Sequence, residues 1–136
     1  MNTSFNEIEQ IARYSTHQRP PHLSDRFSAF VGQSSDELYT RKPARVDVII
    51  ATPATKWSAA GQSVVLYTFA RFRKYFTVIE DLAPTLARVY LETGVLPIVA
   101  PVRAHFRRHT FEVNPNLVRF IRREGLKLYS RARDDG

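Results

Sequence analysis

Phe27-Ser28-Ala29-Phe30-Val31-Gly32-Gln33-Ser34-Ser35-Asp36, followed after a polar connector by Ala44-Arg45-Val46-Asp47-Val48-Ile49-Ile50-Ala51, is the stretch on which the reading of the fold turns. Its two apolar runs, 26–31 and 45–51, alternate only weakly, as strands do when both faces are covered. They predict neighbouring strands of one sheet, Phe27–Val31 and Val46–Ile50, joined by the polar segment Gln33 to Pro43. In this reading Gly32-Gln33-Ser34-Ser35 is a turn. Such a turn can aim backbone N–H groups at a phosphate, although Gly followed by Ser is also an ordinary turn. Asp47 is the one acid of the second strand. Two acids at alternate positions of a strand can hold a divalent metal against a phosphate. Here Arg45 stands two residues before Asp47, and a cation there repels a metal.

This arrangement resembles the nucleotidyltransferase fold of the polymerase-beta superfamily, in particular its small bacterial members. Their first strand ends in Gly-Ser and their second carries Asp-x-Asp before an apolar run. Gly32-Gln33-Ser34 is similar to a disturbed first motif, and Arg45-Val46-Asp47-Val48-Ile49-Ile50 to the second with its first acid replaced. Leu91 to Val102, then Asn114 to Leu117 through Arg122 to Tyr129, is similar to the closing helix–strand–helix of such domains. The likeness covers residues 23–129. It implies an α/β (α+β) fold, a small mixed sheet covered by helices, with Gly32, Ser34 and Ser35 as nucleotide-binding residues.

The same resemblance implies a degraded enzyme. Asp47 is the surviving catalytic carboxylate, relevant only if the protein is active, and Mg²⁺ is required only in that case. If Ala44 and Val46 are the matching positions instead, both acids are gone and Asp47 points to the opposite face. The strand over 95–102 holds no acid. Asp36, Glu37, Glu80 and Asp81 are the acids that could complete a site, though Glu80-Asp81 reads more simply as a helix start, where negative charge is favoured. Small members of this family often accompany a helical ribonuclease-type partner in toxin–antitoxin pairs.

The chain has 136 residues, enough for one domain, with 1–22 as an N-terminal helix and connector, 23–129 as the core and 130–136 as a frayed tail. Its 43% hydrophobic and 12% aromatic content can fill a core. No apolar run is long enough to cross a bilayer, and no basic-then-apolar leader follows Met1, so a cytoplasmic protein without membrane contact is expected. Cysteine is absent, which excludes disulfides and thiolate metal sites.

Ser4-Phe5-Asn6-Glu7 has the spacing of a capping box, and Phe5, Ile8, Ile11 and Ala12 predict a helix from Phe5 to Tyr14. Residues 15–25 read as a connector. Ser63 to Phe76 is apolar nearly all round and predicts a buried helix. Ile79, Leu82, Leu86, Val89 and Tyr90 form a helical stripe that stops at Gly94. Pro84 favours a break near 77–81; the alternative is one long helix carrying Pro84 inside. Val95–Val102 is a third strand, pushed toward a sheet edge or an early end by Pro97 and Pro101. Asn114-Pro115 opens a last helix, which Gly125 ends, and Leu126–Tyr129 adds a short strand.

The net charge is +7, from twenty bases and thirteen acids. Most of the excess falls after residue 60, and most of the bases are Arg, which pairs with phosphate and carboxylate through two parallel bonds. Arg103, Arg107, Arg108, Arg119, Arg122 and Arg123 form the candidate partner-binding surface. On the last helix they project away from Leu117, Val118 and Ile121. His105 and His109 have the spacing of metal ligands on a helix, but no third ligand accompanies them and the interleaved Arg opposes a cation. No helix-turn-helix, zinc-finger or RNA-binding signature is present.

The function expected from these readings is a nucleotidyltransferase-like protein, catalytically degraded, that binds an acidic protein or nucleic acid partner. The alternatives are an active transferase that moves a nucleoside monophosphate onto a protein or small molecule, and a basic nucleic-acid-binding protein on an unrelated α/β fold. The oligomeric state is not legible.

Overall fold

The computed structural model describes residues 2–57, 63–105 and 110–132. The elements in chain order are β1 (Asn2–Ser4), α1 (Phe5–Ile11), β2 (Tyr14–Ser15), α2 (Asp25–Arg41), β3 (Val46–Pro53), β4 (Ser63–Ala70), α3 (Tyr75–Thr93), β5 (Leu96–His105), β6 (Thr110–Glu112), α4 (Pro115–Glu124) and β7 (Leu126–Ser130). The strands form one mixed sheet in the order β1-β6-β5-β4-β3-β7-β2, with helices packed on it, so the expected α/β class is the one observed.

The first predicted strand is not a strand. Phe27–Val31 lies in the first turns of α2, and Gly32-Gln33-Ser34-Ser35 continues that helix as regular turns. Ser24 caps it, its side chain accepting from the Phe27 N–H at 3.3 Å. Phe27, Phe30, Val31, Ser34 and Leu38 are buried along one face, at helical spacing. The Gly/Ser phosphate turn therefore does not exist. Ser34 is buried, and the Ser35 hydroxyl donates to the Leu128 carbonyl at 2.9 Å, which ties α2 to β7.

The segment from Ser63 is the second correction. Ser63–Ala70 is a strand, and exposure alternates between Ser63 and Thr68. A short apolar run fits a buried strand as well as a buried helix, and Val64, Val65, Tyr67 and Phe69 are strand formers. The helical stripe that follows belongs to one continuous helix, α3, with Pro84 in its interior rather than at its start. Glu80-Asp81 is thus mid-helix. Gly94 ends α3 in the left-handed region at φ 75°, its N–H donating to the Tyr90 carbonyl at 2.8 Å.

Other expectations hold. Ser4 caps α1 by accepting from the Glu7 N–H at 3.2 Å, although α1 ends at Ile11 and Tyr14-Ser15 forms β2. β5 lies toward one side of the sheet, with β6 pairing only its Ala104 and His105. Ser130, expected in the frayed tail over 130–136, belongs to a strand instead. Ser130 is buried in β7, and residues 133–136 lie outside the described part.

Two buried clusters sandwich the sheet. One joins α2 and α3 to Ile49, Ala51, Val64, Leu66 and Leu128. The other joins α1 and α4 to Val48, Ile50, Phe69, Phe111 and Val113. The N-terminal segment reaches both sheet edges, since β1 pairs with β6 and β2 with β7. Five strands separate those edges, about 29 Å if the sheet were flat. The α1 helix between them has seven residues, a rise of only about 10 Å. The sheet must therefore curl around α1, with a hollow on that side.

Candidate functional site: a basic cleft at the carboxyl ends of the strands

β4 and β5 are parallel, and β3 runs antiparallel to both β4 and β7. The carboxyl ends of β4, β5 and β7 consequently lie together at one end of the sheet, beside the start of β3. That end is where open α/β sheets place ligands. It carries Arg71 after β4, Arg103 and His105 in β5, Arg131 after β7 and Arg45 before β3. Two backbone bonds fix the frame. The Arg71 N–H donates to the Arg45 carbonyl at 2.9 Å, and the Arg131 N–H to the Asp47 carbonyl at 2.8 Å.

Asp47 is the centre of this site. The β3–β4 register slips between Val46 and Val48, so Asp47 is the extra residue of a β-bulge. Bulges re-aim side chains and recur beside functional sites. Asp47 is 4% exposed. Its Oδ1 lies 2.8 Å from Arg131 Nη2 and 3.9 Å from Arg71 Nε. A buried charge needs such partners to offset lost hydration. Two guanidiniums on one carboxylate leave the group cationic.

Two cavities meet at Arg71. One, of about 200 Å³, is lined by Phe5, Asp47, Arg71, His105, Phe111 and Arg131. The other, of about 390 Å³, is lined by Arg45, Arg71, Phe72, Arg73, Lys74 and Thr77. Arg103 joins the second: its Nη2 donates to the Arg73 carbonyl at 2.8 Å, and its guanidinium sits 5.1 Å from the Phe72 ring centre. The start of α3 opens beside it. Lys74 is the N-cap and offers no side-chain bond, and the first turn holds no acid. Six bases thus gather in the two adjoining cavities, and two of them, Arg71 and Arg131, face the buried Asp47 carboxylate.

Burial pushes the Tyr129 phenol above its ordinary value of 10.0. Tyr39 raises it further, Arg131 opposes the rise, and Asp47 adds to it. Among the described residues, no three of His, Asp and Glu come together as a metal site would require.

The sequence-derived candidates are scattered. Asp47 is central. Gly32, Ser34 and Ser35 belong to the middle of α2. Arg103 joins the cleft, whereas Arg119, Arg122 and Arg123 are exposed on α4. The last turn of α4 carries Arg122 and Arg123 and leads into the start of β7. It therefore lies at the opposite end of the sheet from Arg131, and these bases do not share one face with Arg103. Arg107, Arg108 and His109 lie outside the described residues. His105 is at the end of a strand, not on a helix. Sequence reading missed Phe5, Arg71, Arg73, Lys74 and Arg131. Arg71-x-Arg73-Lys74, a basic run between a strand end and a helix start, was the available signal.

No family model, curated protein or solved structure matches this chain. Among the described residues, no helix is long and apolar enough to cross a membrane.

Proposed function

We propose that this protein binds nucleic acid through its phosphate backbone, at the cleft formed by the carboxyl ends of β4, β5 and β7. The observation that carries this reading is the set Arg45, Arg71, Arg73, Lys74, Arg103 and Arg131 in two adjoining cavities at one end of the sheet, with only Arg71 and Arg131 paired to the buried Asp47. Five of these six bases are Arg, the side chain whose fork fits phosphate oxygens. They are spread across three strand ends and a helix start, as contacts along a polyanion must be. Metal-assisted transfer is not part of the reading. The carboxylate of the cleft, Asp47, already faces two guanidiniums, and the first phosphate motif of the polymerase-beta resemblance falls inside a helix.

Titration of a fluorescent oligonucleotide at rising salt tests this. Each phosphate neutralised releases counterions, so log affinity should fall linearly with log salt, by about 0.7 per contact on a single strand. Absence of binding, or binding indifferent to salt, would overturn it.

A second reading, an acidic protein partner on α4, is favoured by the exposure of Arg119, Arg122 and Arg123. Competing groups weaken it. Arg119 bonds Asn116, and Arg123 pairs with Glu124 at 3.3 Å.

A further inference from the structure

The smaller cavity has walls that a phosphate does not need. Phe5 supplies half-buried aromatic surface, Phe111 lines the wall although it is itself buried, and Asp47 presents a carboxylate that repels an anion. Arg71, Arg131 and His105 supply donors at the same opening. Arg71 Nε is buried and makes no hydrogen bond among the described residues. A ligand that suits all of these has a flat apolar face, a donor for the carboxylate and acceptors for the guanidiniums. Every nucleobase offers at least one donor and one acceptor on its pairing edge, and a flat face on which aromatic stacking accepts any base. At about 200 Å³ the cavity is below the range of roughly 300–1,000 Å³ that takes a drug-sized molecule. It suits one ring system, with the attached phosphates left outside on Arg45, Arg73 and Lys74 of the adjoining cavity.

We propose that this cavity seats one unpaired base, so that the nucleic acid held by the cleft is single-stranded. The inference rests on the nucleic-acid reading above. Base pairing hides the edge that Asp47 and the guanidiniums would contact, so a duplex is held through its phosphates alone. Phe5 is half-buried and can stack, whereas Phe111 is fixed edge-on against Phe69 at 5.3 Å between ring centres.

Three labelled ligands separate the possibilities in anisotropy titrations with the wild-type protein: a short single strand, an abasic strand with the same phosphates, and the corresponding duplex. The base-bearing strand should bind about tenfold more tightly than the abasic one, the effect of one stacked base. The duplex should behave as the abasic strand. Phe5→Ala, checked for folding by circular dichroism, should bring the single strand down to the level that the abasic strand shows with the wild-type protein. Equal, salt-dependent binding of all three ligands would overturn the base pocket and leave the phosphate cleft standing. No salt-dependent binding of any ligand would overturn the cleft, and the pocket with it. The abasic comparison uses unmodified protein, so it decides the question even if the variant misfolds.

Discussion

Asp47 holds the strand ends together and limits their charge. Its carboxylate faces Arg131 and Arg71 inside a bulge that β4 cannot match residue for residue. Asp47→Asn keeps the shape and removes the charge. The freed guanidiniums are partly exposed and can be hydrated again, so the loss should be about 1–3 kcal/mol, that of a charged hydrogen bond rather than a buried pair. Urea unfolding measures it. The same variant should bind an abasic phosphate strand more tightly, since nothing competes for the arginines. Weaker binding of that strand by a folded variant would show that the carboxylate orients them. Tyr129 gives a second expectation. Its folded pKa is raised by burial above 10.0. The resulting stability is fully present below the unfolded value, and is lost as pH rises from there toward the folded value. Tyr129→Phe should flatten that alkaline decline, and denaturation at a series of alkaline pH values checks it.

Two elements depend on single residues whose role is geometric. Gly125 ends α4 with an ordinary φ of −70°. A Cβ there would stand 2.5 Å from the Ile121 carbonyl and 3.0 Å from Ile50 Cγ2. Gly125→Ala should therefore cost about 1–3 kcal/mol through overpacking of α4 on β3, read as a lower urea midpoint with unchanged slope. Pro84 works the other way. It is exposed within α3 and donates no hydrogen bond. Pro84→Ala restores a helical N–H and should raise Tm, with a gain of up to about 3 kcal/mol. An unchanged Tm would mean that α3 depends on the bend that proline favours. The elements also show where sequence was legible. Caps at Ser4, Gly94 and Asn114 were readable because each is a local bond. Phe27–Val31 and Ser63–Phe76 were misread because short apolar runs carry little period. Extending the first run to Ser34 and Leu38 exposes its helical stripe, and the alternation of the second emerges only with burial.

At the scale of the molecule, the curl of the sheet decides what meets what. It brings Phe5 from the N-terminal segment to the ends of β3, β4, β5 and β7, a juxtaposition no local pattern encodes. The positive balance after residue 60 was legible as charge, but not as two surfaces at opposite ends of the sheet. Asp47 was legible as a buried acid, while the arginines that neutralise it come from segments 24 and 84 residues further along. In the proposed function the cleft, and not α4, holds the anionic partner. This assignment is tested most directly by one salt-titrated anisotropy series comparing wild type, the cleft variant Arg45→Gln/Arg73→Gln/Lys74→Gln and the α4 variant Arg119→Glu/Arg122→Glu, all on the same labelled single strand. The cleft variant should lose at least about tenfold in affinity and show a salt slope shallower by about 2, three contacts at about 0.7 each. The α4 variant should bind as wild type within about twofold, the residual effect of screened distant charge. Full binding by a folded cleft variant, with loss in the α4 variant, would contradict it.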